Sequence, residues 1–218
     1  MWQTTIDLFQ KGGLVMYPLL LSSLVAIVLI VERCLFWWKV ARRQQRVVRE
    51  VLRLYASSKD KAIKKLELEL DLPIARIFLT ALELDYPDTE EFKIALESAA
   101  QAEIPILKRF NTIFDSIITL APLLGLLGTV TGLMNSFASL RFGDFSGERA
   151  TVVTGGISEA LITTATGLII AIFTAFFANM FRGFYQRQIY LIQEYGGQLE
   201  LIFRRYHCKA GVSNNALT

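Results

Sequence analysis

The chain has 218 residues, of which 53% are hydrophobic, and its net charge is only +3. The hydrophobic share exceeds that of ordinary soluble domains, and so small a charge argues against a nucleic-acid partner. One histidine and two cysteines supply too few ligands for a structural zinc site and suggest no disulfide framework. We therefore expect a membrane protein without metal, cofactor or enzymatic activity.

The first apolar segment, residues 14–31, carries no charge and continues through Glu32 and Arg33 to Trp37 and Trp38. It is too long for the apolar part of a cleavable signal peptide, and no small-residue cleavage site follows it. The two tryptophans are typical of an aromatic belt at the inner membrane interface. We interpret Glu32 and Arg33 as interfacial anchors rather than proton relays.

The polar stretch 39–110 contains fourteen lysines and arginines. This excess of positive charge places the stretch in the cytoplasm, beside anionic lipid. Its composition predicts helices. One of them begins near Asp88, where a capping residue is followed by acids, and Pro105 predicts a kink further on.

Residues 116–140 and 161–181 are also uncharged, and each is long enough to cross the ~30 Å apolar core of a bilayer. Glu159 stands just before the second of these segments. A carboxylate at or near membrane depth is costly and is by default a functional-site hypothesis. The alternative is an interfacial glutamate that reaches water or pairs with a basic residue of a neighbouring helix.

Charge bias and apolar length together predict three spans, with the N-terminus outside and the C-terminus in the cytoplasm. The predicted boundaries are a periplasmic N-terminus at 1–13, a first span at 14–38, a cytoplasmic helical segment at 39–111, a second span at 112–140, a periplasmic loop at 141–153, a third span at 154–181 and a cytoplasmic tail at 182–218. The expected fold is an all-α membrane protein whose second and third span helices extend into a cytoplasmic helical bundle.

Small residues line one face of the second and third spans at helical spacing. On the second span these are Ala121, Gly125, Gly128, Gly132 and Ser139, and on the third Gly156, Ala160, Thr164, Gly167, Ala171, Ala175 and Ala178. Such faces allow helices to approach closely in lipid. Packing within one chain is one interpretation, but a cavity shared between copies of the chain fits two long faces with embedded hydroxyls better.

Three motifs resemble those of the ExbB/TolQ/MotA proton-channel family, and most closely those of ExbB-type biopolymer transport proteins. They are LGLLGTVTG at 124–132 followed by Asn135-Ser136-Phe137, GGISEAL at 155–161 followed by Thr163 and Thr164, and GLVMYPLL at 13–20 followed by Glu32-Arg33. The first two motifs together, at this spacing, are far more specific than a single small-residue repeat.

The resemblance implies an inner-membrane subunit that forms a homo-oligomeric ring, thought to be a pentamer, around the single-span helices of an ExbD-like partner. Protons would pass through the ring and drive a TonB-like protein that opens outer-membrane transporters. The TolQ branch, which serves the Tol–Pal envelope system, stays open as an alternative. The MotA branch comes last because its members have more spans than this chain.

The same resemblance places the family's pore positions on Thr129, Glu159 and Thr164, and Thr163 shares the face of Glu159. The expected helix-packing positions are Gly125, Gly128, Gly132, Gly156 and Gly167. Because the family's essential protonatable acid lies on the partner, the threonines would line the route to it and Glu159 would set the field at the entrance. On a helical wheel Glu159 lies about 100° from the small-residue face and beside Thr163 and Thr166.

Two other classes of protein remain open. A structural scaffold would form the same ring without conducting protons, and an ExbD-like partner with an aspartate in its single span would favour the channel over the scaffold. A transporter with its own substrate site is disfavoured, because such proteins usually have more spans and internal repeats.

Overall fold

The computed structural model describes residues 13–85, 87–140 and 148–215, without the side chains at 139–140, 148–153 and 206–215. Within these ranges the chain is almost entirely helical and contains no strand, which confirms the predicted all-α class for them. The helices are α1 Met16–Tyr55, α2 Lys59–Glu67, α3 Pro73–Leu82, α4 Thr89–Leu107, α5 Asn111–Leu140 and α6 Glu148–Asn215.

The chain divides into two compact units. The first, here called the membrane unit, contains the described residues up to Arg33 together with Phe110–Phe181, and the second, the charged unit, contains Cys34–Arg109 and the residues from Arg182 onward. Helices α1 and α6 each contribute to both units. Within the described ranges, three helical stretches are long and apolar enough to cross a bilayer: α1, the stretch that contains α5, and α6. Their number matches the three predicted spans.

The membrane unit exposes many large apolar side chains and has a small buried core. Met16 and Leu19 of α1 share a buried cluster with Ala121 of α5 and Ala171 of α6. More than half exposed are Leu21, Leu24, Leu120, Leu126, Ile169 and Ile172. Extensive outward apolar surface is unfavourable in water and normal against lipid, so this unit has the surface of a membrane-embedded bundle.

Helix α4 does not run on into α5. Pro105 lies inside α4, which continues to Leu107, so the interruption falls after the proline that was expected to kink the helix. At the interruption Phe110 has φ 69°, a left-handed conformation that is rare for a bulky residue. The Arg33 guanidinium lies 5.2 Å from the centre of the Phe110 ring, and this cation–π contact helps to hold the ring at the start of α5.

In the charged unit, α4 begins directly after Asp88, as the sequence predicted. The Asp88 carboxylate accepts hydrogen bonds from the backbone N–H groups of Glu90 and Glu91 at 2.8 and 2.7 Å. The Glu91 carboxylate in turn accepts from the backbone N–H of Asp88 at 3.0 Å. This reciprocal arrangement satisfies donors that the first helical turn leaves unpaired, and it confirms the predicted helix start.

A buried ion pair joins α3 to α4 in the charged unit. Arg76 donates from Nε and Nη2 to the two carboxylate oxygens of Glu103 at 2.6 and 2.5 Å. Arg76 also donates to the carbonyl of Leu70 at 2.6 Å. The hydrogen bond to Glu103 raises the pKa of Arg76, and burial opposes that increase. The sequence analysis did not identify this pair.

The two tryptophans predicted to form an aromatic belt lie in different surroundings. Trp38 is 62% exposed, whereas Trp37 is buried, with its ring centre 5.9 Å from that of Phe184. Successive residues of a helix differ by about 100° in direction, so a tandem pair cannot share one face. On the buried side of α1, Gln44 accepts a hydrogen bond from Gln188 at 2.6 Å.

Candidate functional site

Helices α5 and α6 approach each other through backbone atoms at their small residues. A Cβ atom placed on Gly125 would lie 3.0 Å from the Cα of Thr164, and one on Gly167 would lie 3.2 Å from the Cα of Gly125 and the carbonyl carbon of Ala121. Carbon atoms in ordinary contact are about 3.5–4.0 Å apart. Only glycine fits at these positions without moving the helices apart.

The same close approach continues one and two turns towards the end of α5. A Cβ on Gly132 would lie 2.9 Å from the carbonyl oxygen of Gly156, and one on Gly128 would lie 2.6 Å from the Cβ of Thr163. Ser136, also buried, donates to the carbonyl of Gly132 at 2.9 Å. The small-residue faces that the sequence analysis assigned to a cavity shared between copies therefore contact each other within one chain. Ser139, at the end of that face, lies outside the described side chains.

Thr164 links the two helices by a hydrogen bond. Its Oγ1 donates to the carbonyl oxygen of Gly125 at 2.9 Å, and the residue is half-buried. The bond is possible because Gly125 has no side chain to hold α6 away from its backbone. Thr164 therefore contributes to the α5–α6 contact and still has part of its surface outside that contact.

Thr163 is fully buried, at 0% exposure. Its Oγ1 donates to the carbonyl oxygens of Ala160 and Glu159, at 2.9 and 3.1 Å, while its side chain packs against Gly128. Its hydroxyl thus bonds within its own helix, and the whole side chain, including Oγ1, lies against Gly128 of α5. Thr163 was predicted to line a pore. In the structure it is buried, and its hydrogen bond stabilises the turn of α6 that carries Glu159.

Glu159 is half-buried one turn before Thr163. Its carboxylate occupies the space beside Gly13, so that a Cβ on Gly13 would lie 2.9 Å from the carboxylate carbon and would overlap Oε1. The Glu159 carboxylate thus lies within the membrane unit and contacts the turn immediately before α1.

Thr129 is half-buried on α5, one turn beyond Gly125, and its Oγ1 donates to the carbonyl of Leu126 at 2.6 Å. Among the described residues, no hydrogen bond joins Thr129 to Thr164 or to Glu159. The structure therefore places Thr163 and Thr164 of α6 against Gly128 and Gly125 of α5, and Glu159, one turn earlier on α6, against Gly13. The hydrogen bond of Thr129 stays within α5.

Apart from Glu159, the charged side chains that the structure describes in the membrane unit are Glu32, Arg33 and Asp115. Arg33 is 2% exposed and bonds through Nε to the carboxylate of its neighbour Glu32 at 2.7 Å. Asp115 is exposed and lines a surface groove with Ser116 and Thr119. Within the described ranges, no group of three or more His, Cys, Asp and Glu side chains could hold a metal ion.

Gly13 is the residue of this site that the sequence analysis did not single out. It appears there only as the first letter of a motif, although a Gly-Gly pair immediately before an apolar helix is a visible signal. Its φ is +65°, a conformation readily adopted by glycine. The signal shows that a turn precedes the helix but does not show which side chain lies against that turn.

Comparison with known proteins agrees with the three motifs. The profile of the family described as "MotA/TolQ/ExbB proton channel family" matches residues 69–194, which is more than half of the chain. The chain belongs to this family. The resemblance inferred from the motifs is thereby confirmed, and with three helices of sufficient length the chain is a multi-pass membrane protein.

Several relatives in this family are similar over most of their length. The chain is 56% identical over 198 residues to the biopolymer transport protein ExbB-like 3 of Synechocystis sp., which covers 91% of this chain and 94% of that protein. It is 40% identical over 200 residues to ExbB-like 1 of the same organism, covering 91% and 79%. With the biopolymer transport protein ExbB of Neisseria meningitidis serogroup A, identity is 30% over 168 residues, covering 71% and 74%.

Proposed function

We propose that this chain is the ring-forming subunit of an inner-membrane proton channel, and that with an ExbD-like single-span partner it couples the proton gradient to TonB-dependent outer-membrane transport. The observation that carries the proposal is that Glu159 lies one turn from Thr163 and Thr164 on α6, at the point where these threonines pack against glycines of α5. In a family of proton channels, a carboxylate and hydroxyls at membrane depth are the groups expected to handle protons.

The side chains differ in what they contribute. A carboxylate can take up and release a proton, whereas a threonine hydroxyl both donates and accepts hydrogen bonds and can order water. We assign Glu159 to the entrance of the proton path and Thr129 and Thr164 to its wall. Thr163 fixes the turn of α6 that carries Glu159, because it donates to the carbonyl of that residue.

Two features favour the ExbB branch over the TolQ branch. The relatives above are named for ExbB, and the GLVMYPLL motif resembles the start of ExbB-like proteins. We further propose a pentameric ring, a periplasmic N-terminus and a cytoplasmic C-terminus, since the lysines and arginines of 39–110 favour the inside. In this proposal the chain is a channel subunit and not an enzyme.

The central test measures gradient-dependent uptake in cells that lack their own copy of the protein. Glu159→Ala, Thr129→Val and Thr164→Val should each abolish uptake while the protein remains in the membrane. Valine keeps the shape of threonine but removes the hydroxyl. For Glu159→Ala we expect a loss of at least about 100-fold, the lower end of what a positioned proton-transfer group contributes.

Thr174→Val is the matched control on the same helix. Thr174 is buried and donates only to the carbonyl of Ile170 in its own helix, so its hydroxyl has no place in the proposed path. Glu159→Gln should be as damaging as Glu159→Ala if charge or proton exchange is required, and less damaging if a hydrated polar group suffices. Full uptake by all three test variants at normal membrane levels would contradict the proton path.

The scaffold alternative is separated by a second measurement. Purification with an ExbD-like partner, followed by native mass determination, should give a ring of identical chains around the partner. That complex in liposomes should conduct protons. A ring that assembles but leaves the proton flux at the level of empty liposomes would identify a non-conducting scaffold instead.

A further inference from the structure

The beginning of α1 has a conformation and an environment that require glycine. Gly13 has φ +65°, and its carbonyl accepts a hydrogen bond from the N–H of Met16 at 3.2 Å, which starts the helix. A Cβ at Gly13 would lie 2.9 Å from the carboxylate carbon of Glu159 and 3.6 Å from its Cγ. Backbone conformation and available space therefore exclude a side chain independently.

The carboxylate fills the space that a side chain at residue 13 would need. Leu14, the next residue, is 85% exposed, so the contact with Glu159 belongs to the glycine and not to the whole turn. The first N–H groups of a helix have no partner within it, and its N-terminus carries a partial positive charge. The position is thus electrostatically suited to a carboxylate as well as sterically open to it.

The backbone of the same turn of α6 is held by α5. Thr163 donates to the carbonyl of Glu159 at 3.1 Å and packs against Gly128, and a Cβ on Gly132 would lie 3.2 Å from the Cβ of Ala160. Helix α5 therefore sets where the turn lies, and α1 sets where the Glu159 side chain can extend.

We propose that Gly13 is a positioning residue for the Glu159 carboxylate, and that the turn leading into the first span thereby forms part of the proton path. The role of Glu159 in proton movement rests on the proposed function. The position of its side chain against Gly13 does not, so the two are tested separately below.

The first experiment tests the contact itself. In full-length protein with Cys34→Ser and Cys208→Ser, the pair Gly13→Cys and Glu159→Cys should form an intramolecular disulfide in membranes, because a Cβ at residue 13 would lie 3.6 Å from the Cγ of Glu159, the position that a cysteine sulfur would take. The matched control pair is Leu14→Cys with Glu159→Cys, which should form far less. A crosslink only between two chains, or equal yields for the two pairs, would overturn the proposal.

The second experiment separates positioning from general damage to the helix. Gly13→Ala should cause loss of proton flux in the reconstituted complex with its partner. Gly155→Ala is the matched control, because nothing lies within 4 Å of a Cβ at Gly155, and it should conduct normally. The unfolding midpoint of each protein in detergent is measured alongside.

The third experiment removes the Glu159 carboxylate, which the methyl group of Gly13→Ala would otherwise overlap. Adding Gly13→Ala to Glu159→Ala should lower the unfolding midpoint less than adding it to the wild type, because the overlap with the carboxylate is gone and only the strained φ remains. Equal shifts in both backgrounds would mean that Gly13 serves α1 alone, and the proposal would fail.

The outcomes of the inference and of the proposed function can be told apart. If the wild-type complex does not conduct protons, the proposed function fails, while the disulfide and the stability cycle still decide the contact. If the wild type conducts and Gly13→Ala conducts equally well, the proposed function stands and the positioning role is wrong.

Discussion

The guanidinium of Arg76 bonds to both carboxylate oxygens of Glu103, whose side chain is only 9% exposed. Glu103→Ala would leave that cation half-buried without its carboxylate. We expect a loss of about 2 kcal/mol in the free energy of unfolding, less than the ~3–5 kcal/mol of fully buried pairs, because the Arg76 side chain is 31% exposed. Thermal unfolding of the detergent-solubilised protein measures it.

Glu97→Ala is the control for this prediction, since Glu97 is exposed on the same helix and should change the midpoint little. A shift equal to that of Glu103→Ala would show that the ion pair contributes nothing. The pH dependence has a definite sign. The raised pKa of Arg76 means that the pair stabilises the fold at every pH below the ordinary pKa of arginine, and this contribution is lost only as the pH rises through the higher folded-state pKa.

Sequence reasoning identified Thr129, Glu159 and Thr164 by their residue type and motif but not by their contacts. The Glu159–Gly13 contact joins positions at opposite ends of the sequence, and no local pattern specifies which turn of α1 faces which turn of α6. The turn of α6 that carries Glu159 is positioned by the fit of Gly128 against Thr163, a contact between α5 and α6 that no single segment of the sequence reveals.

At the scale of the helices, the α5–α6 contact predicts two different responses to added methyl groups. At Gly167 the methyl would meet backbone atoms of Ala121 and Gly125, whereas at Gly128 it would meet only the side chain of Thr163. Gly167→Ala should therefore lower the unfolding midpoint whatever the neighbouring side chains are. Gly128→Ala should be partly rescued by Thr163→Ala, which removes Oγ1 and Cγ2 but leaves the Thr163 Cβ 2.6 Å from the new methyl group.

The measurement is thermal unfolding of each variant in the same detergent, with Gly183→Ala as control because nothing lies within 4 Å of a Cβ there. Two results would contradict the packing described: a control as destabilised as Gly167→Ala, or a double variant Gly128→Ala with Thr163→Ala that shows no recovery relative to the single variants.

Apolar length predicted the number of helices, within the described residues, that are long enough to cross a bilayer, because a bilayer imposes a minimum helix length whatever the tertiary contacts. The start of α4 at Asp88 was predictable for a similar reason, since capping is a local interaction. The break at Phe110 was not, because a left-handed phenylalanine goes against its local preference and is stabilised by contacts such as that with Arg33. The burial of Trp37 likewise depends on α6.

At the scale of the whole molecule, the arrangement across the membrane is directly testable. Ser57→Cys lies at the exposed end of α1, and Ser146→Cys lies in the stretch between the second and third spans. With Cys34 and Cys208 replaced by serine, an impermeant thiol reagent added from the periplasm should label Ser146→Cys only, since the lysines and arginines favour the inside for 39–110.

Both cysteines should react equally once the membrane is permeabilised, which controls for access. Labelling of Ser57→Cys in intact cells would show that the proposed topology is inverted. The assignment of Glu159 to the entrance of the proton path would then be withdrawn.

The half-buried hydroxyls of the membrane unit share one orientation: Thr129, Thr131, Thr164 and Thr166 all donate to backbone carbonyls. A hydroxyl whose proton is engaged in this way presents only lone pairs to its surroundings. Water beside it turns a hydrogen inward and leaves its own oxygen facing outward, which solvates cations and repels anions. The helices would therefore discriminate hydronium from chloride by the direction of their hydrogen bonds, before any fixed charge takes part.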